Sequence, residues 1–317
     1  MAANKPKKTA SKSKKTKTAV KSEKTEKPAI VAAEKKVEKV EKVEKVEKTE
    51  EKVEKKSEKS KFCKAFFAKK CDASENILTI FHNKKIYGAL IGEIVGTALV
   101  SIILLTLGVY QPLYMFFVYV GVTLLTFGLS GANLNPIITA GMMATRRMSA
   151  IRGVLYMLAQ ILGAWVGYLV VSAFIGAGSM AAELPEMAAV EGELFWVTTM
   201  IEFFGAIILG FTFARALQYK RSALTFAMIV AGGFVIALIA VIVISSSYVG
   251  LSSNFIMNPA VALMYQILPT GGNNFGDLLA DIALALVTYV VFPVLGGVIG
   301  FYISDFASSL NGEKLEA

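Results

Sequence analysis

Ser130-Gly131-Ala132-Asn133-Leu134-Asn135-Pro136-Ile137 and Met257-Asn258-Pro259-Ala260 are the two stretches that decide the fold. Proline suits the first helical position, where a missing N–H costs nothing. Asparagine before it suits the cap. Each stretch therefore reads as a loop that turns into a helix at its asparagine. The apolar segments that follow, about 135–147 and 258–268, are too short to cross a bilayer, which takes about 20 residues. One Asn-Pro pair is a common turn signal. Two, each following a long apolar run and each beginning an apolar half helix, form a pattern.

Those long runs number six: roughly 87–108, 112–130, 151–175, 195–217, 223–247 and 280–303. The short segments follow the second and the fifth. Short, broken hydrophobic segments at matching places in two halves point to a transport site. The halves also match residue by residue. Glu93 with Gly96 in the first run is echoed by Glu202 with Gly205 in the fourth. Gly163 and Gly167 in the third are echoed by Gly296 and Gly300 in the sixth, at small-xxx-small spacing that suits helix crossings. Three spans per half is an odd number, so the second half enters the membrane from the opposite side. The sequence thus predicts an all-α membrane protein with six transmembrane helices and two re-entrant half helices in an inverted repeat.

Composition agrees. The chain is 55% hydrophobic, above the roughly 45–50% usual for soluble domains. Its charge is concentrated at one end. Of 33 basic and 24 acidic residues, residues 1–60 hold 20 Lys and 11 Glu, so the rest of the chain is neutral with 13 of each. The expected organisation is a Lys/Glu-rich tail over 1–60, a juxtamembrane segment over 61–86, a membrane domain over 87–304 (repeats about 87–175 and 195–304), and a short tail over 305–317. Residues 37–48 read Val-Glu-Lys four times. A period of three walks the valines around a helix and makes no coiled-coil seam. A disordered stretch running into a solvated single helix is expected, with anionic lipid or an unknown partner as its contact. Nucleic acid is not the expected partner.

Arg146, Arg147 and Arg152 lie between the second and third runs, and Arg215, Lys220 and Arg221 between the fourth and fifth. The alternate loops carry no Lys or Arg. By the positive-inside rule the arginine loops and both termini are cytoplasmic, in a multi-pass protein of the cell membrane. Cys63, Cys71 and the single histidine, His82, make neither a disulfide framework nor a metal set, so no metal or cofactor is expected.

Irregular backbone at membrane depth survives only when buried in protein or lining a water-filled cavity. Two half helices entering from opposite faces meet N-terminus to N-terminus near the midplane. Each end carries about half a positive charge. Such a junction repels cations and presents Asn135 and Asn258 as donors to a passing hydroxyl, a use of half-helix dipoles described for aquaporin-type pores. Glu93 and Glu202, ionisable groups inside spans, are expected to hold the re-entrant loops by accepting backbone N–H bonds, with Gln160 doing similar work. No nucleophile–base or metal constellation suggests an enzyme. A coupled transporter would call for a charged or ion-binding residue at the midplane, and a formate-type channel for a pore histidine; the motif stretches from Ser130 to Ile137 and from Met257 to Ala260 offer neither.

With these residues on the page, the chain resembles the aquaporin, or major intrinsic protein, family over about residues 87–304. The resemblance rests on Glu93 with Gly96-Thr97, on Ser130 to Pro136, and on Tyr156, Ala159-Gln160 and Gly163-Ala164. It continues through Glu202, Met257 to Ala260, and Pro293 with Gly296-Gly297. It implies a homotetramer with one pore per subunit. It places the pore motif at Asn135, Pro136, Ile137, Asn258, Pro259 and Ala260. Counting from the two asparagines places the outer constriction at Met115, with Phe116 or Phe117 as the alternatives there, and at Ser246, Phe255 and Val261. Ile137 stands where the family has Ala, Asn133 where it usually has His, and Val261 where it nearly always has Arg. Ser246 and Phe255 resemble the glycerol-conducting type, although Ala262 replaces that type's usual Asp. The resemblance therefore implies a wide constriction passing water and small neutral solutes such as glycerol. The alternatives are a water-selective channel, or a gated or structural member with little flux.

Overall fold

The computed structural model describes residues 77–107, 111–176, 192–218, 222–248, 255–267 and 275–310. The chain divides into two units, Met1–Phe62 and Cys63–Ala317. The Val-Glu-Lys repeat, Cys63, Cys71, Lys220, Arg221 and the tail after 310 lie outside the described residues.

All regular structure among the described residues is helical. A short α1 (Ile77–His82) leads into α2 (Lys85–Leu107), α3 (Pro112–Ser130), the half helix α4 (Pro136–Ala144) and α5 (Ala150–Gly176). The second half runs through α6 (Gly192–Gln218), α7 (Ala223–Tyr248), the half helix α8 (Pro259–Ala262), α9 (Phe275–Leu286) and α10 (Phe292–Leu310). Six helical spans are long and apolar enough to cross a membrane. Five of them begin and end within three residues of the runs read from sequence.

The sixth span differs. Its apolar stretch opens at Ile282, close to the expected start, and runs to Leu310, past the expected end at 303. The helix itself begins earlier, at Phe275, and passes through a π-helical turn, Val287–Val291, before continuing as α10. The second half helix also differs from a plain helix over 258–268. Four α-helical residues give way to a π-helical turn at Leu263–Ile267, and the two π turns pack together. Single π turns insert one residue into the i→i−4 ladder, which a hydropathy profile does not register.

The inverted repeat is visible in how the spans cross. In the first half α5 packs on α2, and in the second α10 packs on α6. A Cβ at Gly163 would overlap the carbonyl oxygen of Ile94, and a Cβ at Gly296 that of Phe203. One turn on, Gly167 abuts the carbonyl of Ala98 and Gly300 that of Ile207. The missing side chains let backbone meet backbone at equivalent places in both halves.

The half helices then tie the halves together. Besides packing on α5, α4 lies on α10, where Gly141 receives the ring of Phe301 and Gly297 receives Ile137. α8 in turn lies against α5 of the first half. Between them α3 and α7 face one another along buried stripes, Met115, Tyr119, Val122 and Thr126 on one side and Val230, Phe234, Leu238 and Val241 on the other. The outward faces carry large apolar side chains such as Leu125, Trp165, Phe174 and Phe306, each more than 45% exposed in the isolated chain. That is the surface a bilayer or neighbouring subunits would cover.

Candidate functional site

Each motif asparagine is a helix cap in extended conformation, at φ −157° for Asn135 and −147° for Asn258. Asn135 Oδ1 accepts from the N–H of Ile137 at 2.9 Å. Asn258 Oδ1 accepts from the N–H of Ala260 at 3.1 Å. The proline after each asparagine occupies the first helical position, so no N–H is lost there.

The amide nitrogens reach the other way. Asn135 Nδ2 donates to the carbonyl of Met257 at 2.7 Å, and Asn258 Nδ2 donates to the carbonyl of Leu134 at 3.1 Å. The two half helices therefore meet at their N-termini, each cap held by the residue that precedes the other. The sequence reading left both amides free for a solute. Here one N–H of each is engaged across the junction. A carboxamide carries two donors, so the second N–H on each remains in excess of these bonds.

Leu134 and Met257 have the left-handed backbone that turns the chain into the cap, at φ 54° and 45°. A non-glycine residue there costs on the order of 1–3 kcal/mol and persists only when its surroundings fix it. The buried carboxylates supply that fixing. Glu93 Oε1 accepts from the N–H of Asn133 at 3.1 Å, and Oε2 from the N–H of Leu134 at 2.7 Å. Glu202 accepts from the N–H of Ile256 at 2.8 Å and of Met257 at 3.1 Å. Both glutamates are fully enclosed.

Gln160 reaches the carboxylate rather than the loop backbone. Its Nε2 donates to Glu93 Oε2 at 2.7 Å and to Thr139 Oγ1 at 2.9 Å. Thr139 donates to the carbonyl of Asn135 at 3.2 Å, which closes a network from α5 through α2 to the half helix. Asn133 Nδ2 also reaches Thr139, at 3.4 Å. Among the described residues the second half has nothing corresponding to Gln160 in contact with Glu202.

Of the four residues placed at the outer constriction, Met115, Phe255 and Val261 are each at most 2% exposed and belong to one continuous apolar cluster. Ser246 lies in α7, and its side chain is outside the described residues. Val261 is the first residue after Ala260 in the short α-helical turn.

Sequence reasoning missed a polar clamp at the far end of the first half helix. Arg147 holds Asp305 of α10 through two parallel bonds of 2.9 and 2.7 Å, and its guanidinium lies 5.9 Å from the centre of the Phe301 ring. Gln218 at the end of α6 donates to Asp305 at 3.1 Å. Arg215 donates to both Gln218 and Ser308, and Ser308 to Gln218. Tyr302 donates to the carbonyl of Ala144, the last residue of the half helix. From sequence alone the arginines read only as markers of membrane side. An acid and a hydroxyl at positions 305 and 308, one helical turn apart near the end of the last span, were the available signal.

Six apolar spans, two half helices meeting at asparagine caps, and a buried glutamate behind each loop define a helical membrane protein of the inverted-repeat, double half-helix class. The family model described as major intrinsic protein matches residues 81–304, and the chain belongs to that family. Among curated proteins it is 34% identical over 98 residues to "Probable aquaporin PIP2-5" of Arabidopsis thaliana, covering 31% of this chain and 34% of that one. It is 35% identical over 107 residues to "Aquaporin PIP2-7" of Musa acuminata, covering 31% and 35%. These matches span about a third of the relatives' lengths. The aquaglyceroporin from Plasmodium falciparum shares the fold, with a TM-score of 0.51 and 18% identity over 73% of this chain and 96% of that one.

Proposed function

We propose that this chain is a passive transmembrane channel for water and small neutral solutes such as glycerol. The reciprocal pairing of Asn135 with Met257 and Asn258 with Leu134 carries this reading. It brings two half-helix N-termini head to head, an arrangement that disfavours cations and orients hydrogen-bonding molecules. The aquaporin names of the relatives and the aquaglyceroporin name of the structural neighbour support the same reading.

The site residues take these roles. Asn135, Pro136, Ile137, Asn258, Pro259 and Ala260 form the central junction, and Glu93, Glu202 and Gln160 support it. Met115, Ser246, Phe255 and Val261 form the outer constriction. Met115, Phe255 and Val261 bring no formal charge to it. With valine where the family carries arginine, the constriction lacks a fixed cationic donor, so it discriminates among neutral solutes less sharply and admits glycerol-sized molecules. The protein works as a homotetramer in the cell membrane with both termini cytoplasmic, and the basic tail contacts anionic lipid or an unknown partner. It is not an enzyme.

A second reading, a gated member with little resting flux, draws on the near-complete burial of Met115, Phe255 and Val261. Stopped-flow light scattering on proteoliposomes separates the two. Wild type under water and glycerol gradients is compared with Val261→Arg. The open-channel reading expects fast shrinkage and fast glycerol re-entry, with the arginine variant losing glycerol and keeping water. Folded tetramers that pass neither solute would favour the gated reading.

A further inference from the structure

The α3 stripe that begins with Met115 continues one turn deeper to Tyr119. Seven residues into α3, Tyr119 lies about 10 Å along its axis, close to the middle of that span. Its ring stacks flat on Phe234 of α7, with centroids 4.0 Å apart and planes 18° from parallel. Phe234 is likewise within one turn of the middle of α7. The stack therefore bridges the two spans near the depth where the half helices meet.

The phenol oxygen is the anomaly. Tyr119 is 8% exposed, and its hydroxyl is buried with no hydrogen-bond partner among the described residues. A buried hydroxyl without a partner is costly, and native proteins rarely leave one. Tyrosine in an apolar wall usually finds a partner for its O–H. Phenylalanine would fill this stack equally well. Val122, Val230, Leu238 and Val241 offer only carbon side chains, and the nearby hydroxyls of Thr123 and Thr126 make no hydrogen bond to the phenol. A partner from outside the protein, carrying both donor and acceptor, is what the oxygen lacks. On a path running inward from Met115, that partner is the permeant itself.

We propose that Tyr119 is a specificity-determining residue of the permeation path. Its ring against Phe234 sets the width near mid-membrane, and its hydroxyl bonds the hydroxyl of a passing polyol or water. This rests on the channel reading above. In this stretch of apolar wall, the phenol replaces part of the hydration that a polyol sheds on entry. Water in single file keeps its bonds to neighbouring waters and depends on the phenol less.

Tyr119→Phe keeps the ring and removes only the oxygen. In proteoliposomes, the expected result is a fall in glycerol flux of about 2–10-fold, the worth of one hydrogen bond at the barrier, with water flux changed less. Glycerol flux equal to wild type, or an equal change in both fluxes, would overturn the role of the hydroxyl. If wild type passes neither solute, the channel reading fails first, and thermal unfolding of the purified protein decides the inference. A hydroxyl bonded to water makes Tyr119→Phe less stable than wild type. An orphaned hydroxyl makes it more stable, which would overturn the proposal without any flux.

Discussion

Asn135 and Asn258 each cap their own half helix and donate to the carbonyl of the residue preceding the other, at 2.7 and 3.1 Å. The residues joined are more than 120 positions apart. Each single substitution to alanine removes a helix cap, worth about 0.5–2 kcal/mol, together with one cross-junction bond of about 0.5–1.5 kcal/mol. Because both bonds close the same junction, losing one loosens the other. A double-mutant cycle on Asn135→Ala and Asn258→Ala, read by unfolding in detergent, is expected to show a coupling of about 0.5–3 kcal/mol. Strict additivity would mean that the two caps act independently.

The two glutamates look interchangeable by sequence and differ in their contacts. Both oxygens of Glu93 are occupied, Oε1 by Asn133 and Oε2 by Leu134 and Gln160. A glutamine there must turn a donor toward a donor. Glu202 can serve Ile256 and Met257 from Oε1 alone, at 2.8 and 3.3 Å. Glu93→Gln is therefore expected to cost about 1–3 kcal/mol, and Glu202→Gln clearly less. Equal losses in a denaturation series would contradict this ranking.

Much of this architecture was legible in the sequence, and the reason is physical. A span must be long and apolar, so α2, α3, α5, α6 and α7 could be read from hydropathy. A cap must be asparagine-like and a first turn tolerates proline, so the starts of α4 and α8 could be read from two dipeptides. What stayed hidden has no local signature. The early start of the sixth helix at Phe275 is hidden from hydropathy by Asp277 and Asp281, which precede its apolar stretch from Ile282. The π turns at Leu263–Ile267 and Val287–Val291 each depend on one residue inserted in a hydrogen-bond ladder. The donation of Asn135 to Met257, and the bare hydroxyl of Tyr119, depend on which distant residue arrives opposite.

Glycine placement offers a test with internal controls. A methyl group at Gly163 or Gly296 would overlap a backbone carbonyl of the facing span, which cannot rotate away. At Gly121 and Gly128 a Cβ would meet nothing within 4 Å. Gly163→Ala and Gly296→Ala are each expected to destabilise by about 1–3 kcal/mol through overpacking. Gly121→Ala and Gly128→Ala are expected to be neutral or to stabilise by up to about 1 kcal/mol, because alanine restricts the unfolded chain and favours helix. Similar costs at the two crossing positions would reflect their equivalence in the repeat. A loss at Gly128 as large as at Gly163 would refute the backbone-contact explanation.

The clamp between Arg147 and Asp305 joins the loop after the first half helix to the end of the last span. Its side chains are 9% and 18% exposed, so solvent screens the pair far less than a surface ion pair. Arg147 presents two parallel N–H bonds to the carboxylate, a geometry that lysine cannot reproduce. Asp305 also accepts from Gln218, so its charge is held from a loop and from the end of α6. Removing one partner leaves the other charge partly buried and uncompensated, which costs more than the net worth of the pair. Arg147→Ala is expected to destabilise by about 2–4 kcal/mol on these grounds. Arg147→Lys is expected to recover only part of that, since the charge returns without the fork. Replacing both residues with apolar ones, as in Arg147→Met with Asp305→Leu, should cost less than Arg147→Ala alone. Unfolding of the purified variants in detergent checks the order. If Arg147→Lys matched wild type, the paired geometry would be irrelevant and simple charge attraction would account for the clamp.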